Sequence, residues 1–170
     1  LHAAVTRIED YTQVGSDVQL ILRTMRRRAA HPALTAKART RLIGEFEVLA
    51  RDLATKAHTQ ADEDESPAKA RLAVEAYRVY LLNVPTTEHR LDMSSNLASA
   101  LAMSEEWLAA GRRYREVAEL ATEDEEARNE ANFEAVAAYQ KILMSDRPRT
   151  HLERVEARAG LRQAGLAFLG

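Results

Sequence analysis

Apolar residues recur along this chain at threes and fours almost from end to end, the period of helices that each bury one face. The clearest stretch is residues 96–120. Leu97, Ala98 and Leu101 share one stripe, and Trp107, Ala110, Tyr114 and Val117 form a second. The two stripes predict a helix hairpin that breaks near Ser104. Ser104 followed by Glu105 and Glu106 predicts a cap and two acidic groups at the start of the second helix, where they satisfy orphan amides and favour the positive end.

The rest of the chain reads the same way. Residues 2–13 predict a short helix with Val5, Ile8 and Tyr11 or Thr12 inward, ending before Gly15. Ser16 with Gln19 has the form of a capping box, opening a helix that carries Val18, Ile21, Leu22 and Met25 and stops near His31, because Pro32 cannot continue it. From 34 to about 58 a longer helix carries Leu42, Ile43, Phe46, Leu49, Ala50 and Leu53. The acidic run 62–65 is too polar and too like-charged to bury, and predicts a loop. Ser66-Pro67 is a strong helix start, with Ser as cap and Pro where its missing amide costs nothing; that helix runs to Asn83, and Val84-Pro85 turns the chain. Thr86 or Thr87 is the expected cap of the next helix. Thr122 with Glu125 predicts another capping box, opening a helix to about Met144 through Ala127, Phe133, Val136, Ala137 and Ile142, with an apolar face broad enough to be covered on two sides. Thr150 with Glu153 predicts a third box. The last helix carries Leu152, Val155, Ala159, Leu166 and Leu169, while Leu161 and Phe168 fall off that stripe. The expectation is an all-α chain of about eight helices whose last one exposes an apolar stripe unless a further repeat or a second copy covers it.

The pattern repeats. Ala73 with Tyr77 stands 37 residues before Ala110 with Tyr114, and Asn132-Phe133 stands 36 after Asn96-Leu97. A period in the mid-thirties means one helical pair per repeat. Leu97-Ala98, then Leu101, Trp107 and Ala110-x-x-x-Tyr114, with Pro85 closing the earlier copy, resembles the tetratricopeptide repeat family over residues 68–140. Ser94 stands where that family usually has Trp, Ala98 where it has Gly, and no Pro closes the copy ending at Leu120. The wording AVEAYRVYLLNVP and later RRYREVAEL looks most like its bacterial envelope members. The resemblance implies one α-solenoid of antiparallel helix pairs over 1–170, with a concave groove lined by the first helix of each pair.

Composition changes this picture little. Charged residues make up 29% and aromatics 5%, with six glycines and four prolines, a mix that with abundant alanine suits helices with thin cores between them. There is no cysteine, hence no disulfide and no thiolate chemistry. No apolar run approaches the roughly 20 residues of a membrane span, so no direct membrane insertion is expected. The start at Leu1, without the features of a signal peptide, suggests an excised or processed piece of a larger protein. Net charge is −2 but unevenly placed: residues 1–60 hold ten Lys or Arg against six Asp or Glu, and residues 61–170 fourteen against twenty. A basic end can meet an acidic partner or phosphate; a solvated surface is the weightier reading.

Signals for chemistry are few. His2, His31, His58, His89 and His151 lie on different elements with no second ligand at i+3 or i+4, so no metal is expected. The 62–65 run lacks the Gly turn and distant Glu of an EF-hand loop. Arg23, Arg26, Arg27 and Arg28 fan around a helix rather than forming one patch. No glycine-rich phosphate loop, nucleophile elbow or triad is present, and no cofactor, enzymatic activity or nucleic-acid recognition is expected. What remains is the pair Asn96 and Asn132. Within the resembling family, an Asn just before the large apolar residue faces the ligand, and an amide pairs with a peptide backbone whatever its side chains. By the helical period Asn96, Ser99 and Met103 share one face, and Arg128, Asn132, Ala135 and Tyr139 share another. These are the expected partner-binding residues of a scaffold for a protein or peptide. The alternatives are a homo-oligomer formed through the C-terminal helix, and an appendage of an enzyme or regulator whose active part lies elsewhere.

Overall fold

A computed structural model describes residues 11–147 and 149–169, and among them there are seven α-helices and no strand. They are α1 (Val14–Ala29), α2 (Ala36–Glu63), α3 (Pro67–Asn83), α4 (Arg90–Met103), α5 (Trp107–Leu120), α6 (Glu125–Leu143) and α7 (His151–Leu169). The expected helix over 2–13 lies outside the described residues except at 11–13. Contacts divide the chain into two compact units, Leu1–Thr87 and Glu88–Gly170.

In the first unit each helix packs on both others. Val14, Val18, Leu22 and Met25 of α1, Phe46, Leu49 and Leu53 of α2, and Val74, Tyr77 and Tyr80 of α3 fill the centre. Buried alanines at 50, 54, 57 and 61 on α2 and at 70, 73 and 76 on α3 keep the core thin. The Thr35 hydroxyl accepts from the Ala38 amide at 3.2 Å, and the Ser66 hydroxyl from the Lys69 amide at 3.4 Å with Pro67 in the first turn, so the Ser66-Pro67 start stands.

Three local expectations change here. Gln13 rather than Ser16 precedes α1, and no side chain caps it. The helix instead runs through Gly15, which is buried so close to Glu75 that a Cβ would lie 2.7 Å from its Cγ; contact with α3, not a capping box, sets this end. α2 continues past His58 to Glu63, because Ala57 and Ala61 extend its buried stripe and the acidic side chains there remain exposed. Glu65, at φ 46°, makes the turn that follows. His89, not Thr87, stands at the N-cap of α4, with no side-chain cap bond. Thr87 is buried, its hydroxyl 3.0 Å from that of Tyr80, and both hydroxyls donate to Glu47 Oε1.

In the second unit α4 packs on α5, α5 on α6 and α6 on α7, with only a light α5–α7 contact besides. This neighbour-to-neighbour order is repeat-like. Leu97, Ala98 and Leu101 of α4 and Ala110, Tyr114 and Val117 of α5 are buried as the sequence pattern requires, whereas Trp107 is only half-buried. The hairpin does break at Ser104, but the Ser104 hydroxyl donates back to the Leu101 carbonyl at 2.9 Å, no side chain caps α5, and Glu105 turns the chain at φ 64°. Asp124, not Thr122, caps α6, accepting from the Ala127 amide at 2.9 Å. The Thr150–Glu153 box forms in both directions, at 2.8 Å and 3.2 Å.

The buried face of α6 is not the one its large residues predict. Ala131, Asn132, Ala135, Ala138, Tyr139 and Ile142 point inward, while Phe133 is 53% exposed beside Phe168, their ring centroids 5.8 Å apart. The cause is Tyr139. A Cβ at Gly111 of α5 would lie 2.8 Å from its ring and one at Gly160 of α7 only 2.3 Å, so the two glycines let both helices close over the ring and fix the rotation of α6. On α7 the residues turned to α6 are Ala157, Gly160 and Ala164. Leu152, Val155, Leu166 and Leu169 are exposed, as expected of an uncovered end helix.

Candidate functional site

Because α4 and α6 are held apart by α5 rather than packed on each other, a groove of about 520 Å3 opens between them. One wall is Leu91, Asp92, Ser95, Asn96 and Ser99 of α4; the other is Ala127, Glu130, Ala131 and Glu134 of α6, with Asp124 at its capped end. Both sets recur at threes and fours, so each is a single helical face. Tyr114 and Val117 of α5 form the floor, and Leu91 packs onto the buried group of Val117, Ala118 and Ala131.

The Tyr114 hydroxyl is hydrogen-bonded to Ser99, and its pKa is pushed up to about 12, first by burial and then by the negative field of Glu134, with the Ser99 bond acting the other way. It therefore stays neutral. Asn96 is partly exposed on the wall. An amide, two hydroxyls, an apolar floor and a carboxylate rim thus line the channel.

The expected binding residues separate. Asn96 and Ser99 line the groove. Met103, half-buried at the end of α4, is not part of its lining. Arg128 and Asn132 line a different cavity, of about 420 Å3, together with Arg115, Glu119, Gln163 and Ala167 of the neighbouring helices. There the Arg128 guanidinium donates to the Thr122 carbonyl at 3.3 Å, and Asn132 is only 5% exposed. Ala135 and Tyr139 are buried, and Tyr139 hydrogen-bonds Arg115. Asn96 and Asn132, matched in spacing, thus lie on different surfaces, because the glycine windows over Tyr139 turn that whole face of α6 toward its helix neighbours. Sequence reasoning missed Asp92, Tyr114, Asp124, Glu130 and Glu134 as groove residues. The Ala127, Glu130, Ala131, Glu134 spacing was the signal available.

Other candidate chemistry falls on residues that do not line this groove. On α1, Arg28 lies over the Phe46 ring at 5.8 Å and Arg26 donates to the Asn83 amide oxygen, so the arginines fan out. His58 stands edge-on to Tyr77, 3.3 Å from its hydroxyl; burial lowers its pKa against the opposing pull of Asp62. A further cavity, of about 460 Å3, is lined by Glu105, Trp107, Lys141, Arg147 and Arg149 among others, with Lys141 over the Trp107 ring and Arg147 paired to Glu105 at 2.6 Å. Among the described residues no group of three or more His, Asp or Glu is placed to hold a metal ion, and no helix is long and apolar enough to cross a membrane.

Fold and groove together define an all-helical protein whose second unit stacks its helices in repeat-like order. No family model, curated protein or solved structure matches the chain.

Proposed function

We propose that this chain is a non-enzymatic scaffold of tetratricopeptide type that holds a segment of a partner protein in the α4–α5–α6 groove, as part of a larger bacterial assembly. The observation that carries the reading is the groove itself. Alternate helices stand apart across a floor helix, and the wall presents Asn96 and Ser99 with their polar groups toward an open channel. The family resemblance over 68–140 supports it from the sequence side, and the wording of 73–85 and 112–120 draws the assembly toward the cell envelope. Asn96 bonds the backbone of the bound segment, and Tyr114 positions Ser99 beside it.

A second reading has its own support. Leu152, Val155, Leu166 and Leu169 leave α7 with an exposed apolar stripe, the kind of patch that marks a contact site, and a second copy stacking there makes the chain a self-association module.

Site-specific photo-crosslinking in cells separates the two. With the crosslinker at Ser95, in the groove wall, the scaffold reading expects an adduct with another protein that is lost when Asn96→Ala and Ser99→Ala are combined. With the crosslinker at Leu166, the module reading expects an adduct of twice the chain's own mass. No adduct from Ser95 together with a self-adduct from Leu166 overturns the scaffold reading in favour of the second.

A further inference from the structure

We propose that the segment received by the α4–α5–α6 groove is basic: an extended stretch of a partner protein that lays an apolar residue on the floor and carries lysine or arginine to either side. This rests on the groove being the binding surface, and it names the chemistry of what enters.

The argument is one of charge left unmatched. Asp92 on one wall, Glu130 and Glu134 on the other and Asp124 at the end surround the channel, and among the described residues no cationic side chain lines it. Elsewhere in the same unit several acidic side chains are paired: Glu105 with Arg147, Glu116 with Arg113, Glu119 with Arg115, Glu156 with Arg112. None of the four groove carboxylates makes an ion pair among the described residues. The three arginines of α5 pair with glutamates on their own or a neighbouring helix rather than lining the channel.

The surrounding chain deepens the effect. Residues 116–134 contain eight Asp or Glu against Arg128 alone, and Arg128 points to the Thr122 carbonyl on the other side of α6. A concave surface with low-dielectric walls focuses a field of one sign and concentrates ligands of the other.

Geometry gives the rest of the description. Acidic groups stand on both walls while Tyr114 and Val117 form the floor between them, so a complementary segment carries charge on two sides and an apolar side chain beneath. An extended chain, whose successive side chains alternate, meets that requirement. The carboxylates are not grouped closely enough to hold a metal ion among the described residues, and polyanions such as nucleic acid are repelled.

The test pans a random peptide library, about ten residues in length, against the immobilised full chain; in extended form such peptides run past the ~21 Å of α4. The expected result is a selected pool enriched in Lys and Arg. Its affinity falls with added salt and drops about tenfold for a Glu130→Gln/Glu134→Gln variant whose circular dichroism and thermal midpoint match the parent. A second neutralisation, Asp92→Asn, tests the opposite wall if that variant is unstable. A pool without basic enrichment, or one indifferent to all three neutralisations, overturns the proposal. If that neutral pool is nevertheless lost with Asn96→Ala/Ser99→Ala, the groove remains the binding surface and only its charge preference fails. If no pool depends on any groove residue, both readings fall.

Discussion

The two units use the same materials to opposite ends. In Leu1–Thr87 three helices each touch both others, so their large apolar residues converge on one centre and even the polar groups of Glu47, Tyr80 and Thr87 are tied to one another. In Glu88–Gly170 each helix touches mainly its neighbours in sequence, and alanine or glycine supplies half of the buried residues of α6 and all of those of α7. Closing a cluster uses up its surfaces, whereas stacking in a line leaves a groove between alternate helices and a bare face at the end. Charge follows the same division: the first unit holds thirteen Lys or Arg against eleven Asp or Glu, the second eleven against fifteen. The proposed binding surface lies on the open unit, where an ordered but unfilled groove exists.

If this contrast is right, the largest single loss comes from the side chain that ties three stacked helices together. Tyr139→Ala should cost about 3–5 kcal/mol, the range for emptying a large aromatic site. Native-state hydrogen exchange should place the loss in α5–α7 and leave α1–α3 protected; equal loss of protection in both units would break the comparison. The same ring is tested from outside by Gly160→Ala. A Cβ 2.3 Å from the ring forces a shift, and overpacking of about 1–3 kcal/mol outweighs the roughly 1 kcal/mol that Ala gains over Gly in helix propensity. Ala110→Leu, at a fully buried contact of α5, should cost a similar ~1–3 kcal/mol in a thermal melt.

The closed unit is probed by its polar tie. Tyr80→Phe keeps the ring and removes one of two hydroxyl donors to Glu47, the Thr87 hydroxyl being the other, which should cost about 0.5–1.5 kcal/mol in denaturant titration, the net worth of one hydrogen bond. A negligible change would mean that water satisfies Glu47 and that the tie is incidental.

How much of this was legible beforehand depended on which force set each feature. The hairpin across Ser104, the Ser66-Pro67 start, the Thr150–Glu153 box and the exposed stripe of α7 could be read because they arise from local chemistry and from period alone. The starts of α1 and α6 differ from the sequence expectation by three and two positions, since several residues there are able caps and tertiary contact chooses among them. The site was half legible. Asn96 and Ser99 were found by helical period, but Asn132 was carried along by a sequence spacing that the rotation of α6 does not honour. That rotation is set by Gly111 and Gly160 meeting Tyr139, a contact of three helices that no window of one helix contains. The acidic character of the groove was also out of reach, because it emerges only when Asp92 and Glu134, some forty residues apart, face one channel.

A smaller, pH-dependent effect should appear in the closed unit through His58. Burial lowers its folded pKa below the ordinary value of 6.5, so the folded state favours the neutral ring. Below about pH 6.5 the unfolded chain takes up this proton first, and the His58 contribution to stability, intact above that pH, is lost as pH falls toward the lower folded value. Denaturation midpoints between pH 8 and pH 5 should therefore fall more steeply for the parent than for His58→Gln. Identical profiles would show that the ring is solvated where it stands beside Tyr77.

The smallest effect on stability is expected at the end helix, and its smallness is the point. Leu152 and Leu166 are 77% and 68% exposed, so replacing both by Ser removes little that folding has buried, and the melt should move by no more than about 0.5 kcal/mol per site. In a closed cluster two such changes at Leu22 and Leu53, both fully buried, would abolish the fold. The readout that matters is association. An apolar stripe of several leucines on an otherwise charged surface favours contact with another such stripe, so sedimentation velocity should show concentration-dependent self-association of the parent and less of it for the Leu152→Ser/Leu166→Ser pair. A parent that remains monomeric at high concentration removes the self-association reading, and a pair that melts well below the parent shows that α7 is covered in solution and that the stacked unit closes at its end after all.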